Sequence, residues 1–180
     1  QKLAREFARA EIAPYASEWD QKAYFEPSLV KKLGELGFLG MMLPEQYDGL
    51  GTDTGTYLIA LEEIAAADAS VAVMMSVHNS LPTQMILRHG SDAQKDRFLK
   101  PMARGELLGA FALSEPEAGS DASALSAQAV KDGSSWVING TKAWVPNGNP
   151  AGSILTMART ATSGALGGGL GIGRCAVTPP

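Results

Sequence analysis

Ser114 and Ser120 frame a short polar loop, Ser114-Glu115-Pro116-Glu117-Ala118-Gly119-Ser120-Asp121, where the apolar run Leu107 to Leu113 stops. Its residue types suit ligand contact. Two hydroxyls can donate and accept, Gly119 lets a backbone approach closely, and Pro116 fixes part of the loop. The same residues are common turn formers, and the spacing is not that of a phosphate loop. Taken alone, the segment reads first as a turn that ends a strand. Other acids and bases offer less. Glu62 and Glu63 are adjacent, so on a helix they point about 100° apart and form no catalytic carboxylate pair; a solvated face or a local salt bridge is expected. His78 and His89, the only histidines, lie eleven apart with no acid at ligand spacing, and both are read as structural. Met41 and Met42 read as core filler. Asn79, Thr83 and Leu87 share one helical face at four-residue spacing, a mixed face that can border a small-molecule cavity.

The elements that must position these residues change character part-way along. Leu3, Phe7, Ala10, Ile12 and Ala13 recur at near-helical spacing, and this helix is expected to end around Pro14 to Glu18. A second helix starts at Pro27, buries Leu29, Val30, Leu33 and Leu36, and stops at Gly37. Met41 to Gly51 is a structured loop. Thr54 or Thr56 caps the next helix. Ser70 to Arg88 is a buried helix with a kink or break at Pro82, and Ser91-Asp92-Ala93-Gln94 has the form of a capping box.

Beyond Gly105 the pattern becomes short strands: Leu107 to Leu113, Ala124 to Val130, Trp136 to Ile138, Thr141 to Val145, Ser153 to Met157 and Arg174 to Val177. Asp132-Gly133 and Asn139-Gly140 are turn signals, the second predicting a type I′ hairpin between Trp136–Ile138 and Thr141–Val145. Thr160 to Gly173 reads as a mobile loop, and Gly167 to Gly169 is no nucleotide fingerprint, since no strand-to-helix transition surrounds it. Helices followed by antiparallel strands make an α+β chain.

Bulk properties exclude some functions. With 180 residues, 45% of them hydrophobic and 19% charged, the chain can bury a core. A net charge of −4 with no long basic run argues against nucleic acid as a partner. No segment has the roughly 18 unbroken apolar residues of a membrane helix. Cys175 is the only cysteine, so no disulfide framework or cysteine metal site is expected, and a reducing compartment suits the chain.

Four ordered blocks are similar to the acyl-CoA dehydrogenases: Leu43 to Gly51, Glu62 to Ala65, Phe111 to Asp121 and Trp136 to Gly148. Ser76 to Leu81 followed by Phe111 to Pro116 most resembles the short-chain, butyryl-type members. The resemblance implies an all-helical N-terminal domain over residues 1–105 and a truncated middle domain over 106–180. That domain would be an incomplete antiparallel β-barrel or sandwich, with a C-terminal helical bundle outside the chain. It implies FAD, with Phe111, Leu113 and Ser114 against the isoalloxazine and Trp144 on its edge. Gly119 and Ser120 would lie near the pyrophosphate and the pantetheine arm of CoA, and Asn79, Thr83 and Leu87 near the acyl tail. Pro146 stands where the family has a Thr or Ser facing flavin N5, and proline supplies neither the hydroxyl nor the N–H.

The implied reaction is α,β-dehydrogenation of an acyl-CoA thioester, as in fatty acid β-oxidation. The α-proton would go to a glutamate outside the chain and the β-hydride to FAD N5; Glu115 and Glu117, placed in the loop, are not that base. Electrons would pass to an electron-transfer flavoprotein. A homotetramer, in a bacterial cytoplasm or the mitochondrial matrix, is implied when the protein is full length. Two other readings stand beside this one. The first is a non-catalytic subunit for acyl-CoA binding or assembly, favoured by Pro146. The second is a flavin oxidase or monooxygenase of the same fold.

Overall fold

Local sequence signals fix most helix ends. In the computed structural model, which describes residues 1–160 and the backbone of 168–173, α1 (Lys2–Phe7) runs on into a π-helical segment, Ala8–Ile12. Its i→i+5 geometry shows in the bond from Ala13 N to Ala8 O at 2.9 Å. A separate helix, α2 (Ala16–Gln21), follows where the sequence suggested only an ending. α3 (Ser28–Glu35) starts after Pro27 and buries Leu29 and Leu33. Each such fully buried side chain contributes about 2 kcal/mol. Gly37 takes φ +77° just past its end, the left-handed position that closes a helix without a Cβ clash.

Asp53, rather than Thr54 or Thr56, caps α4 (Thr54–Ala65), accepting from Thr56 N at 2.9 Å and Thr56 Oγ1 at 2.8 Å. A carboxylate one residue earlier reaches the free N–H groups and adds charge at the positive helix end. The expected break at Pro82 separates α5 (Ala69–Ser80) from α6 (Pro82–His89), with Leu81 between them in neither helix. α7 (Asp92–Ala103) opens on the expected capping box, Ser91 with Gln94. Phe7, Ile12, Leu33, Phe38, Met41, Ile64 and Met75 meet in one core, with Met42 packed on it; Phe7 and Phe38 touch edge to face. Glu63 pairs with Arg5 at 2.6 Å, and the guanidinium holds its carboxyl at about 2, as a local salt bridge requires.

A second unit begins at Gly109. Its strands are β1 (Gly109–Ala112), β2 (Gln128–Asp132), β3 (Ser135–Asn139), β4 (Ser153–Arg159) and β5 (Gly168–Gly173). The sheet is mixed rather than wholly antiparallel. β4 pairs in parallel with β1 and, through Gln128–Arg159, with β2, while β3 and β5 are antiparallel to β2 and β4 respectively. β4 is buried from Ser153 to Thr156, as befits a central strand.

Several strand expectations need correction. The hairpin turns at Gly133-Ser134, where Gly133 takes φ +57°, and not at Asn139-Gly140. At Gly140, with φ +150°, the chain runs past Ala127 so closely that a Cβ would stand 2.6 Å from that residue's own. Thr141 to Val145 is therefore no strand: Ala143 N bonds to Ser114 O at 2.9 Å and not to β3. Ala122–Ala124 is a 3-10 turn, so β2 starts only at Gln128. Residues 168–173, expected in a mobile loop, form β5 because β4 offers them a partner along six residues. The expected strand Arg174 to Val177 lies outside the described residues.

Candidate functional site

Small residues let β1 pack tightly. Ala110 and Ala112 bury against Ile154, with Val145 and Ala151 beside them, while Phe111, on the opposite face, stays half-buried. The chain then leaves the sheet through a turn closed by Ala118 N to Glu115 O at 3.1 Å, with Pro116 at its second position. Glu115 is the centre of this loop. Its Oε2 accepts from Ser126 N and Ser126 Oγ, both at 2.6 Å, and its Oε1 accepts from Ala127 N at 2.9 Å and Lys142 Nζ at 2.8 Å. Burial pushes the carboxyl up, but Lys142 and the Ser126 and Ala127 donors outweigh it and hold it at about 2. A carboxylate so fully engaged is a structural anion and cannot serve as a proton acceptor near neutral pH.

Lys142 also donates to Leu113 O at 2.8 Å. Two residues later Trp144 adopts φ +54° and is 92% exposed, the most exposed large apolar side chain among the described residues. Left-handed backbone at a bulky residue is unfavourable by about 1–2 kcal/mol. Here anchors on either side impose it: Lys142 and Ala143 are bonded to the β1 exit, and Val145 is packed on β1 and β4. Val145-Pro146-Asn147-Gly148 is a turn closed by Gly148 N to Val145 O at 3.0 Å, with Asn147 at φ +66°. Proline second and a positive φ third identify type II. Pro146 thus serves the turn, and it faces solvent.

The other site candidates fall into two groups. In the second unit, the Ser114 hydroxyl and the main-chain N–H groups of Ser114 and Trp144 make no hydrogen bond among the described residues. Leu113 and Ser114 are half-buried; Gly119 and Ser120 are exposed. A Cβ built on Gly119 meets nothing within 4 Å, so nothing in the chain itself uses the missing side chain. In the first unit, Asn79 and Thr83 are buried and their polar groups face the backbone: Asn79 Nδ2 donates to Phe38 O and Met75 O, and Thr83 Oγ1 to Asn79 O at 2.7 Å. Leu87 is half-buried. His78 is wholly buried, and burial lowers its pKa to about 4 against the opposing effect of main-chain groups of Met102 and Leu39, so the ring is neutral near pH 7.

Sequence reasoning passed over Lys142 and the buried role of Glu115. They stand 27 residues apart, and no local pattern pairs them.

Residues 1–106 match the acyl-CoA dehydrogenase N-terminal domain, and residues 110–177 match the middle domain. The chain belongs to the acyl-CoA dehydrogenase family. It is 48% identical over 156 residues to the mitochondrial short-chain specific acyl-CoA dehydrogenase of Rattus norvegicus, covering 87% of this chain and 38% of that protein. Butyryl-CoA dehydrogenase from Megasphaera elsdenii has the same fold, with a TM-score of 0.84 at 38% identity, covering 89% of this chain and 43% of that one. Glutaryl-CoA dehydrogenase from Mycobacterium smegmatis, solved in complex with FADH2, gives 0.83 at 37% identity over 87% and 40% of the two chains. The chain thus spans about two-fifths of the length of the acyl-CoA dehydrogenases it matches. Its own residues fit a flavin. Unspent hydroxyl and N–H donors at Ser114 and Trp144 suit an acceptor-rich heterocycle, the exposed indole suits a planar ring, and open space at Gly119 suits close approach. Among the described residues no helix is long and apolar enough to cross a membrane.

Proposed function

We propose that this chain forms the flavin-facing part of an FAD-dependent acyl-CoA dehydrogenase that acts on short acyl chains. One observation carries the reading: Ser114, with its unspent donors, and the exposed, left-handed Trp144 belong to segments tied together by Ala143 N to Ser114 O. Phe111, Leu113, Ser114 and Trp144 hold the isoalloxazine; Gly119 and Ser120 accommodate the pyrophosphate and the pantetheine arm. Asn79, Thr83 and Leu87 belong to the acyl side. Bound FAD supplies the two-electron oxidant. The chain's residues would bind and orient it; Glu115, locked in its ion pair, does not take the α-proton, a role this reading gives to a glutamate outside the chain. Acyl-CoA as substrate, an electron-transfer flavoprotein as acceptor and a homotetramer complete the proposal.

Purified protein tests it through its visible spectrum. Flavin absorption that bleaches under butyryl-CoA without oxygen, and returns slowly in air, is the expected result; rapid return identifies an oxidase or monooxygenase instead. Pro146 favours one alternative, a non-catalytic subunit, because it offers no N–H to a flavin. Protein that carries no flavin and binds acyl-CoA would establish that alternative and overturn the enzyme reading.

A further inference from the structure

We propose that the Lys142–Glu115 ion pair is the positioning device of the cofactor edge, setting where the Ser114 donors and the Trp144 indole stand relative to each other. The proposal rests on the flavin reading for what those groups meet. Three bonds zip the two segments over five residues: Lys142 Nζ to Leu113 O, Lys142 Nζ to Glu115 Oε1, both 2.8 Å, and Ala143 N to Ser114 O, 2.9 Å. The side chains of Lys142 and Glu115 are 12% and 3% exposed, so water does not loosen the pair. The same carboxylate ties in Ser126 and Ala127, so a third segment braces the zip.

A buried ion pair is a weak source of stability beside well-packed apolar residues of similar volume. What this pair supplies is direction. The ammonium is satisfied only when a main-chain carbonyl of the β1 exit and the Glu115 carboxylate stand in one place. Beyond the zip the chain has one residue, Trp144, before Val145 returns to the sheet. The indole's outward placement therefore depends on Lys142 on one side and Val145 on the other.

The test uses purified protein in a Trp19→Phe/Trp136→Phe background, with any tryptophan outside these 180 residues also changed to Phe and excitation beyond the tyrosine band, so that the emission is that of Trp144. Lys142→Met and Glu115→Gln are compared with their parent. Without flavin, the fluorescence anisotropy of Trp144 is expected to fall in both variants as the arm gains motion. With FAD, quenching of that emission is expected to give an affinity about ten-fold weaker for Lys142→Met, the scale of a displaced binding group. A smaller loss is expected for Glu115→Gln, which keeps the shape and, through its one carbonyl oxygen, up to two of the four acceptor contacts. The bound flavin's absorption bands should broaden in step. Folded variants with unchanged anisotropy and FAD affinity would overturn the proposal, since a purely structural pair would lower the melting temperature and leave both readings alone. If Lys142→Met does not fold, Glu115→Gln decides by the same criteria. Parent protein that fails to bind FAD counts against the flavin reading, and the anisotropy still decides the clamp.

Discussion

Replacing Trp144 with glycine separates folding from binding at one position. The indole is 92% exposed, so little of its surface is lost to the fold. A buried aromatic covers 150–250 Å²; the small fraction hidden here is about 20 Å², or about 0.5 kcal/mol. The left-handed backbone at φ +54° suits glycine, which recovers about 1 kcal/mol of strain and loses a comparable amount to the freer unfolded chain. The sum is close to zero. Trp144→Gly should therefore change unfolding stability by less than about 1 kcal/mol, where a packed tryptophan would cost about 3–5 kcal/mol. Cofactor binding should suffer much more: loss of a ring contact weakens FAD binding by about 1–3 kcal/mol, roughly five- to 150-fold. Urea unfolding and FAD titration of the same preparation measure both. A destabilisation above about 3 kcal/mol, or unchanged FAD affinity, would refute the reasoning.

Gly119→Ala should leave the melting temperature unchanged, because a Cβ there meets open space, yet weaken FAD or CoA binding measured by calorimetry. Gly34→Ala should do the reverse: its Cβ would stand 2.3 Å from Arg104 O, and such overpacking costs about 1–3 kcal/mol of stability, visible in urea unfolding. Several groups make stability fall with acid, among them His78 and the buried Glu115. His78 has a folded pKa of about 4 against an ordinary 6.5, so the unfolded chain takes up its proton first and stability declines from pH 6.5 down to about 4. Glu115, at about 2 against 4.5, contributes stability above pH 4.5 that is lost between there and about 2. Unfolding midpoints across pH 7 to 3, with the His78 ring followed by NMR, check the first window; Glu115→Gln should make the second shallower, the rest coming from Glu63 and other lowered carboxylates.

Features set by a few neighbouring residues were legible before the structure. The Ser91–Gln94 capping box, the stop at Gly37 and the break at Pro82 follow from local chemistry, and each stands where the sequence placed it. Turns chosen by distant contacts were not legible. Asp132-Gly133 and Asn139-Gly140 carry equivalent signals, and what decides between them is Ala127 against Gly140 and Ser114 O bonded to Ala143. Gly168–Gly173 has poor strand propensity and becomes a strand because β4 supplies its partner. At the site, residue types drew attention to Ser114 and the family resemblance to Trp144, while the pair that joins their segments, Glu115 and Lys142, appears only when residues 27 apart in sequence come together. The type II turn at Val145–Gly148 was not anticipated, and it accounts for the proline without reference to a ligand.

The parallel pairing of β1 with β4 sets an order of assembly. Gly109 meets Ser153 only after the chain between them has closed a loop of roughly forty residues, an entropic cost of about 3 kcal/mol before the first contact forms. Both site segments, 113–121 and 142–145, lie inside that loop. Helices with local contacts can form early, whereas the Trp144 arm is braced on both sides only once β4 has docked and Val145 can pack against Ile154. On the flavin reading proposed above, FAD would meet a site that is among the last parts to take shape, and binding there would favour the docked β4.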